Sequence, residues 1–176
     1  MALRQILTEP NTILRQKSLY VEKIDGDIKK LMDDMLETMY DAPGIGLAAI
    51  QVGVPKRIIV LDIAQKEGAK QKQPIFFVNP EIIQKSEKKS TYEEGCLSVP
   101  GQFAEIDRSA SCRIKYLDYH GEPKEIKAEG MLATCIQHEM DHLEGILFID
   151  YLSKLKKTMI IKKLSKQKKQ IDRIVV

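Results

Sequence analysis

The chain has 176 residues, of which 43% are apolar and 30% are charged, with a net charge of +3. A chain of this length can bury about two-thirds of its surface as one domain, and its composition argues against disorder. No apolar run approaches the ~18 residues that a bilayer span needs, and the first residues lack the apolar core of a signal peptide. Three cysteines are too few for a secreted disulfide scaffold. We therefore expect a single cytoplasmic domain over residues 1–176, without a membrane span.

An amphipathic helix is the first element that the sequence predicts. Between residues 27 and 40, apolar side chains recur every three or four positions, which places them on one helix face. Asp25 or Asp27 can cap the first turn. Pro43 and Gly44 follow the pattern and end the helix.

Strands and two further helices are predicted after this helix. Segments rich in β-branched and aromatic residues predict four strands, of which the second ends at Pro80 and the last two form a hairpin: 57–63, 75–79, 112–118 and 125–129. A helix over about 131–143 is stopped by Gly145, and a terminal amphipathic helix begins at about 152. The expected fold class is therefore α+β, with antiparallel strands packed around a central helix and with an N-terminal and a C-terminal helix.

Positive charge is concentrated in the terminal helix. From Lys154 onward there are nine Lys or Arg and one Asp, a net charge of +8, whereas the preceding residues have 19 basic and 24 acidic residues, a net charge of −5. Such a basic segment can contact RNA or another anionic surface, or it can be a solvated helix face. The segment has no aromatic residue, so base stacking is not indicated.

The strongest chemical signal is His138-Glu139-Met140-Asp141-His142. On a helix, residues i and i+4 lie one above the other, so both imidazoles can bind one metal ion while Glu139 reaches a water on that ion. The alternative is a pair of exposed histidines on an ordinary amphipathic helix. Asp141 either supports a metal ligand without binding the metal itself or is a solvated helix charge, which is the preferred interpretation.

A catalytic metal site needs a third protein ligand and an open position for water. His120 lies in a predicted turn and is interpreted as a surface residue. Cys135 shares the face of His138, but the expected metal position is roughly 7 Å away along the helix axis, beyond the reach of a thiol. Cys96 follows Gly95 at a predicted loop or strand end and is the preferred third ligand, with a buried apolar cysteine as the alternative.

A third segment, Gly44-Ile45-Gly46-Leu47-Ala48-Ala49-Ile50-Gln51, combines glycine and small residues. Two glycines two positions apart allow another backbone to approach closely. The third glycine of a dinucleotide fingerprint and the Gly-Lys-Ser/Thr of a P-loop are both missing, so a nucleotide site is not indicated. Gln51 either forms a hydrogen bond in the core or faces a reacting carbonyl.

Together, three segments resemble the signature motifs of peptide deformylases of the Gram-negative type: Gly44 to Gln51, Glu94-Gly95-Cys96-Leu97-Ser98, and Gln137 to His142. They occur in the order and at the spacing of that family. The resemblance implies a metal-dependent hydrolase that removes the formyl group from the N-terminal formyl-methionine of new polypeptides during protein biosynthesis. It also implies one divalent ion, Fe²⁺ in the cell, with Zn²⁺, Ni²⁺ or Co²⁺ as substitutes.

The resemblance also implies a role for each matching residue. The metal ligands are Cys96, His138 and His142. The general acid–base is Glu139, and the formyl oxygen is held by Gln51 and the Leu97 N–H. The substrate is bound by Gly46, Gly95, Ile45, Met131 and Cys135, of which the last three line the methionine pocket.

Two other functions fit parts of the pattern. A metalloprotease of the H-E-x-x-H class would use a third His or a downstream Glu as ligand and a cleft between two lobes, whereas this chain offers only His120 besides the motif. The other alternative is a non-enzymatic module that binds a metal or RNA. Its structural metal site would be expected to have four protein ligands and no open position. For the deformylase, the expected partners are formyl-methionyl nascent peptides and, through the basic tail, the ribosome. We expect a monomer that does not bind membranes.

Overall fold

The structure, a computed structural model, describes residues 2–64 and 66–174, with side chains described to residue 170. The helices in these residues are α1 (Gly26–Asp41), α2 (Gly130–Leu143) and α3 (Lys154–Ile174), with short 3₁₀ helices at Thr12–Arg15, Ala49–Val52 and Phe148–Tyr151. The strands are β1 (Gly46–Ala48), β2 (Ile58–Leu61), β3 (Ile75–Lys85), β4 (Lys89–Cys96), β5 (Val99–Ser109), β6 (Ser111–Leu117) and β7 (Pro123–Glu129). The predicted α+β class is confirmed. That residues 1–176 form one domain stays a prediction.

The strands form two antiparallel sheets with α2 between them. Five strands pair in the order β1-β2-β3-β6-β7, and β4 pairs with β5 as a separate hairpin. Helix α2 contacts β1, β2 and β7 of the larger sheet and also both strands of the hairpin. Because it is covered from both sides, α2 buries polar as well as apolar residues. The prediction of strands packed around a central helix is therefore confirmed.

Helix α1 forms where the apolar spacing predicts it. The Asp25 carboxylate accepts a hydrogen bond of 3.0 Å from the Ile28 N–H, which caps the first turn. Met32, Met35 and Met39 are fully buried on one face of the helix and pack against the apolar side of β2. This face anchors the helix to the larger sheet.

Gly145 ends α2, as the sequence predicts. Its φ of +73° lies in the left-handed region, which favours glycine after a helix. A Cβ at this position would also lie 2.7 Å from the carbonyl carbon of Arg15. Residue 145 can therefore lie this close to the first 3₁₀ helix because glycine has no side chain.

The prediction that the second strand ends at Pro80 is wrong. Strand β3 continues to Lys85, and its pairing with β6 shifts between Val78 and Glu81. Asn79 takes a φ of +50° at this irregularity. Proline has no N–H for the ladder, so a strand can pass through it at such a shift rather than in regular pairing.

The β4–β5 hairpin and the short strand β1 are the strands that hydrophobic patterning did not predict. At the turn of the hairpin, Gly95 lies opposite Phe103 whereas Cys96 lies opposite Val99, so residues 100–102 form an irregularity in β5. Irregularities of this kind redirect side chains at strand ends. The Cys96 side chain here points toward α2, with its sulfur 3.3 Å from His142 Nε2.

Over residues 154–170, whose side chains are described, helix α3 contacts the rest of the molecule along one side. Ile160 and Leu164 are buried against Phe148 and the apolar side chains of β5. Leu155, Met159 and most of the lysines are exposed. Within residues 2–64 and 66–174, no helix combines the length and apolarity needed to cross a bilayer.

Asp34 ties the start of the chain to α1, and its protonation should weaken the fold. Its carboxylate is almost fully buried and accepts hydrogen bonds from the Ala2 N–H at 2.8 Å, Arg4 at 3.0 Å and Lys30 at 3.0 Å. Burial by itself raises the pKa of Asp34, but these donors lower it to about 2. We expect Asp34→Asn to lower the free energy of unfolding at pH 7 by about 2 kcal/mol.

The pH dependence separates this effect from a packing defect. A carboxylate whose folded pKa is depressed stabilises the fold above its unfolded pKa of about 3.9, and this contribution is lost as pH falls toward 2. The difference between wild type and Asp34→Asn in urea unfolding should therefore shrink between pH 4 and pH 2. Asp41→Asn, an exposed position on the same helix, is the control and should change stability by less than about 0.5 kcal/mol. A pH-independent difference would contradict the prediction.

Candidate metal centre and active site

Three potential metal ligands converge between α2 and the β4–β5 hairpin. Cys96, His138 and His142 each offer a ligand atom, and these atoms lie within 4.8 Å of one another. Among residues 2–64 and 66–174, this is the one such group of three or more His, Cys, Asp or Glu side chains. The two histidines are one helical turn apart, with ring centroids 5.1 Å from each other, as the i, i+4 spacing predicts.

Glu94 fixes the orientation of the His138 ring. Its Oε2 lies 2.8 Å from His138 Nδ1, so His138 Nε2 is left for the metal position. Arg108 donates to the same carboxylate from Nε at 2.5 Å and from Nη2 at 3.0 Å. Burial raises the pKa of Glu94, but the hydrogen bonds from His138 and Arg108 hold it below its usual value. Glu94 is therefore an ionised acceptor for the His138 N–H.

The interpretation of Asp141 as a solvated charge is wrong. Arg108 Nη1 donates to Asp141 at 2.8 Å, and the Tyr151 hydroxyl donates to the same oxygen at 2.8 Å. Asp141 lies on α2 between the two histidines in sequence, and Arg108 lies on β5. Arg108 therefore bridges two carboxylates and connects the hairpin to the histidine-bearing helix.

The surroundings of the two histidines suit a cation bound beside them. Burial lowers the pKa of His142 well below its usual value, which keeps this ring neutral and able to act as a ligand. For His138, burial also lowers the pKa, but the Cys96 sulfur and the Glu94 carboxylate favour a positive charge and raise the pKa overall. The Cys96 sulfur and the Glu94 carboxylate thus favour positive charge at the position where His138 Nε2 would bind a metal ion.

Glu139 is buried beside the three ligands without an ionic partner. Burial raises its pKa to about 7, so its carboxyl group can both accept and donate a proton near neutral pH. Its Oε2 is buried and has no hydrogen-bond partner among the described residues. A Cβ at Gly46 would lie 2.9 Å from the Glu139 Cδ, so glycine leaves the space that the carboxylate occupies.

Gln51 reaches the site from the short 3₁₀ helix after β1. Its Oε1 accepts a hydrogen bond of 2.8 Å from the Ala48 N–H, and its Nε2 donates to Ser98 Oγ at 3.1 Å. The same nitrogen lies 3.6 Å from Cys96 Sγ. The sequence left open whether Gln51 is a core residue or faces the site, and it is both: its side chain is buried and its amide lies beside the predicted ligand.

The ligands border a cavity of about 490 Å³. Every residue assigned to the substrate or the acid–base chemistry lines this cavity: Ile45, Gly46, Gln51, Gly95, Leu97, Met131, Cys135 and Glu139. His138 and Cys96 also line it, whereas His142 is fully buried behind the Cys96 sulfur. Burial raises the pKa of Cys135 to about 12, which fits a neutral thiol in the cavity wall rather than a metal ligand.

Several residues of the site escaped the sequence analysis. Glu94 and Ser98 stand inside a quoted motif without an assigned role, and Arg108 stands outside all three motifs. Phe103 lines the cavity and is exposed at its rim, where it packs against Gly95; a Cβ there would lie 2.7 Å from the ring. The available signal in the sequence was Arg108 as the one arginine in a segment, residues 89–109, that carries four acidic residues.

The donor set fits one divalent ion. One thiolate and two imidazoles suit Zn²⁺, Fe²⁺, Co²⁺ or Ni²⁺, and three protein ligands leave a position for water, as in catalytic sites. The unpartnered Glu139 oxygen lies beside them. A structural site would instead require a fourth side chain, and the described residues bring only three ligand residues together.

Comparison with known proteins identifies the family. The family model described as polypeptide deformylase matches residues 3–158. The chain is 64% identical to a peptide deformylase of Pelagibacter ubique over the full length of both, and 56% identical to one of Rhizobium meliloti over 96% of each. Its fold is similar to the crystal structure of the Ehrlichia chaffeensis peptide deformylase in complex with actinonin, with a TM-score of 0.90 and 46% identity over 95% of this chain and 98% of the other.

A peptide deformylase from Legionella pneumophila is similar to the same degree, with a TM-score of 0.89 and 45% identity over 98% of this chain and 99% of the other. These matches cover nearly all of the described fold, including the cavity and the three convergent ligands. The chain therefore belongs to the peptide deformylase family.

Proposed function

We propose that Cys96, His138 and His142 hold the catalytic metal ion of this deformylase and that Glu139 moves the protons of the reaction. The enzyme removes the N-formyl group from nascent polypeptides in a metal-dependent hydrolysis. The observation that carries the residue assignment is the convergence of three ligand atoms within 4.8 Å beside the unpartnered Glu139 oxygen.

Glu139 serves as both base and acid. When bound, a divalent ion lowers the pKa of a water toward about 7 and polarises the formyl carbonyl. Glu139 accepts the proton of the attacking water as its oxygen bonds to the formyl carbon, and then donates that proton to the amine nitrogen as the C–N bond breaks. The raised pKa of about 7 suits both transfers, because neither form of the carboxyl group is strongly favoured.

Gln51 and Leu97 stabilise the oxygen of the tetrahedral intermediate. The Gln51 amide and the Leu97 N–H come from two different segments that meet at the cavity. Hydrogen-bond donors fixed before the reaction stabilise developing negative charge without reorganisation. Burial of Gln51, which is 1% exposed, limits the competing hydrogen bonds from solvent.

The substrate backbone binds along two sheet edges. Strand β1 is the outermost strand of the larger sheet and β4 has β5 as its only partner, so each has an unpaired edge. Gly46 and Gly95 lie on these strands and line the cavity, where an extended peptide can pair with them. Ile45, Met131 and Cys135 form the apolar wall against which the methionine side chain packs.

Fe²⁺ is the proposed metal in the cell. A thiolate with two imidazoles binds several divalent ions, and intrinsic affinity alone would favour Zn²⁺ over Fe²⁺. The proposal of iron rests on the resemblance to Gram-negative-type deformylases. Metal analysis of the wild-type enzyme, purified without oxygen, tests it directly.

We expect Glu139→Gln to retain the metal ion and to lose turnover. The amide keeps the size of the side chain but can neither take the proton from the attacking water nor give one to the leaving amine. We therefore expect kcat on formyl-Met-Ala-Ser to fall at least 100-fold. Formate release and metal content are measured on the same preparation. Hydrolysis at the wild-type rate would remove Glu139 from its assigned role.

Two cysteine variants distinguish the third metal ligand. Cys96→Ala should lose most of the bound metal during anaerobic dialysis, because two imidazoles alone hold it weakly. Cys135→Ala, on the same helix as both histidines, is the matched control and should keep its metal. The assignment of Cys96 is wrong if its variant retains full occupancy.

The basic helix α3 is proposed to contact ribosomal RNA. Most of its lysines are exposed, and among the described ion pairs only Lys157 has a carboxylate partner, Asp150 at 2.5 Å. The remaining charges are free to neutralise phosphates, a contact that would place the enzyme near emerging chains. A monomer leaves this surface accessible.

Replacing four exposed lysines of α3 by glutamine, at 162, 163, 166 and 169, should weaken ribosome co-sedimentation about 10-fold or more at low salt. The salt dependence of binding should also become shallower. Formate release from a short peptide should not change, since α3 does not line the cavity. Glutamine at Lys85, Lys115, Lys124 and Lys127, on β3, β6 and β7, removes the same four charges and is the control for net charge. Co-sedimentation equal to that of wild type would exclude this contact.

A further inference from the structure

The Gln51 side-chain amide is held at both ends. Its Oε1 accepts from the Ala48 N–H at 2.8 Å, and its Nε2 donates to Ser98 Oγ at 3.1 Å. Ser98 is fully buried and Gln51 is 1% exposed, so solvent competes little with these bonds. The last side-chain torsion of glutamine is broad and roughly two-fold in the absence of such contacts. The two hydrogen bonds therefore select one orientation of the amide.

We propose that Ser98 is a positioning residue that acts on the reaction through Gln51. An amide nitrogen carries two N–H groups in a fixed plane. Because one of them donates to Ser98 Oγ, the other is directed toward the Cys96 sulfur, which lies 3.6 Å from the same nitrogen and lines the cavity. This inference rests on the proposed role of Gln51 as a donor to the formyl oxygen.

The backbone on both sides of this contact is also fixed. The Glu9 N–H donates to the Ser98 carbonyl at 2.9 Å, and the Leu7 N–H donates to the Gln51 carbonyl at 2.7 Å. One extended segment near the start of the chain thus holds both residues at once. The Ser98 hydroxyl therefore sits on a backbone position that cannot shift independently of Gln51.

Ser98 also lies beside the metal ligand, but through a different group. Its backbone N–H donates to Cys96 Sγ at 3.4 Å, whereas its side chain contacts Gln51. A change to alanine removes the hydroxyl and keeps the N–H. Ser98→Ala consequently tests the contact to Gln51 while leaving the sulfur contact in place.

We expect Ser98→Ala to lower kcat about 10-fold, with KM changed less than two-fold and metal content unchanged. Complete loss of a donor to an oxyanion reduces kcat by roughly 100- to 1000-fold, and a misdirected donor should cost less. Ser18→Ala is the control, because Ser18 is also buried, lies outside the cavity, and its hydroxyl has no partner among the described residues. It should have wild-type kcat.

The decisive measurement compares Ser98→Ala in two backgrounds. If Ser98 acts through Gln51, its replacement should have no further effect on kcat once Gln51 is alanine. An equal 10-fold loss in both backgrounds would overturn the inference, as would loss of metal or an unchanged kcat in Ser98→Ala. In these cases the role of Gln51 stands as long as Gln51→Ala itself is slow. An unchanged kcat in Gln51→Ala would instead refute the proposed role of Gln51 and the inference with it.

Discussion

The hydrogen bond between Glu94 and His138 joins the two parts of the molecule that carry the proposed metal ligands. Cys96 belongs to the β4–β5 hairpin, whereas both histidines belong to α2, and the hairpin does not pair with the larger sheet. The 2.8 Å contact from β4 to α2 fixes the ring on one side of the site relative to the strand that bears the sulfur. The geometry of the centre therefore depends on a carboxylate that binds no metal itself.

Arg108 compensates the buried negative charge of Glu94. An ionised carboxylate without a partner would be strongly destabilising in the interior, and removal of one member of a buried pair leaves the other charge uncompensated. Arg108 satisfies Glu94 with two nitrogens and uses a third for Asp141. The same guanidinium lies over the Tyr151 ring, 5.1 Å from its centroid. The hairpin is thereby joined to α2 by ion pairs, in addition to the buried hydrogen bond of 2.9 Å from Gln137 Nε2 to the Ser109 carbonyl.

Two carboxylates near His138 take opposite roles because their surroundings differ. Glu94 has the His138 N–H and Arg108 as donors, and its pKa stays below the usual value despite burial. Glu139 has no such donors on Oε2, and burial raises its pKa to about 7. Environment thus separates a permanent anion that orients a ligand from a group that can exchange protons. In the proposed mechanism only the second of these takes part in proton transfer.

The elements that the sequence predicted bury mainly apolar side chains, whereas the three residues of β1 are too few to give a pattern although Leu47 and Ala48 are buried. Helix α1 followed from its methionine and leucine spacing, and the pairing of His138 with His142 followed from the helical repeat. The β4–β5 hairpin escaped because its buried positions include Glu94 and Arg108, which interrupt the alternation of apolar and polar residues. Asp141 was misinterpreted for a related reason: its partner Arg108 is 33 residues away, and no local pattern reports such a contact.

Glycine at positions 46 and 95 follows from the placement of the cavity between the two sheets. An unpaired strand edge is normally a liability that proteins cover or interrupt, yet β1 and β4 both line the cavity with such edges. At Gly46 the space of a side chain is taken by the Glu139 carboxylate, and at Gly95 it is taken by the Phe103 ring. The absence of a side chain at each glycine thus lets the Glu139 carboxylate or the Phe103 ring pack directly against the backbone of an edge strand. A substrate that pairs with these edges would have its formyl end close to Glu139 and its following residues beside Phe103. The same pairing would therefore position the reacting group and hold the rest of the substrate peptide.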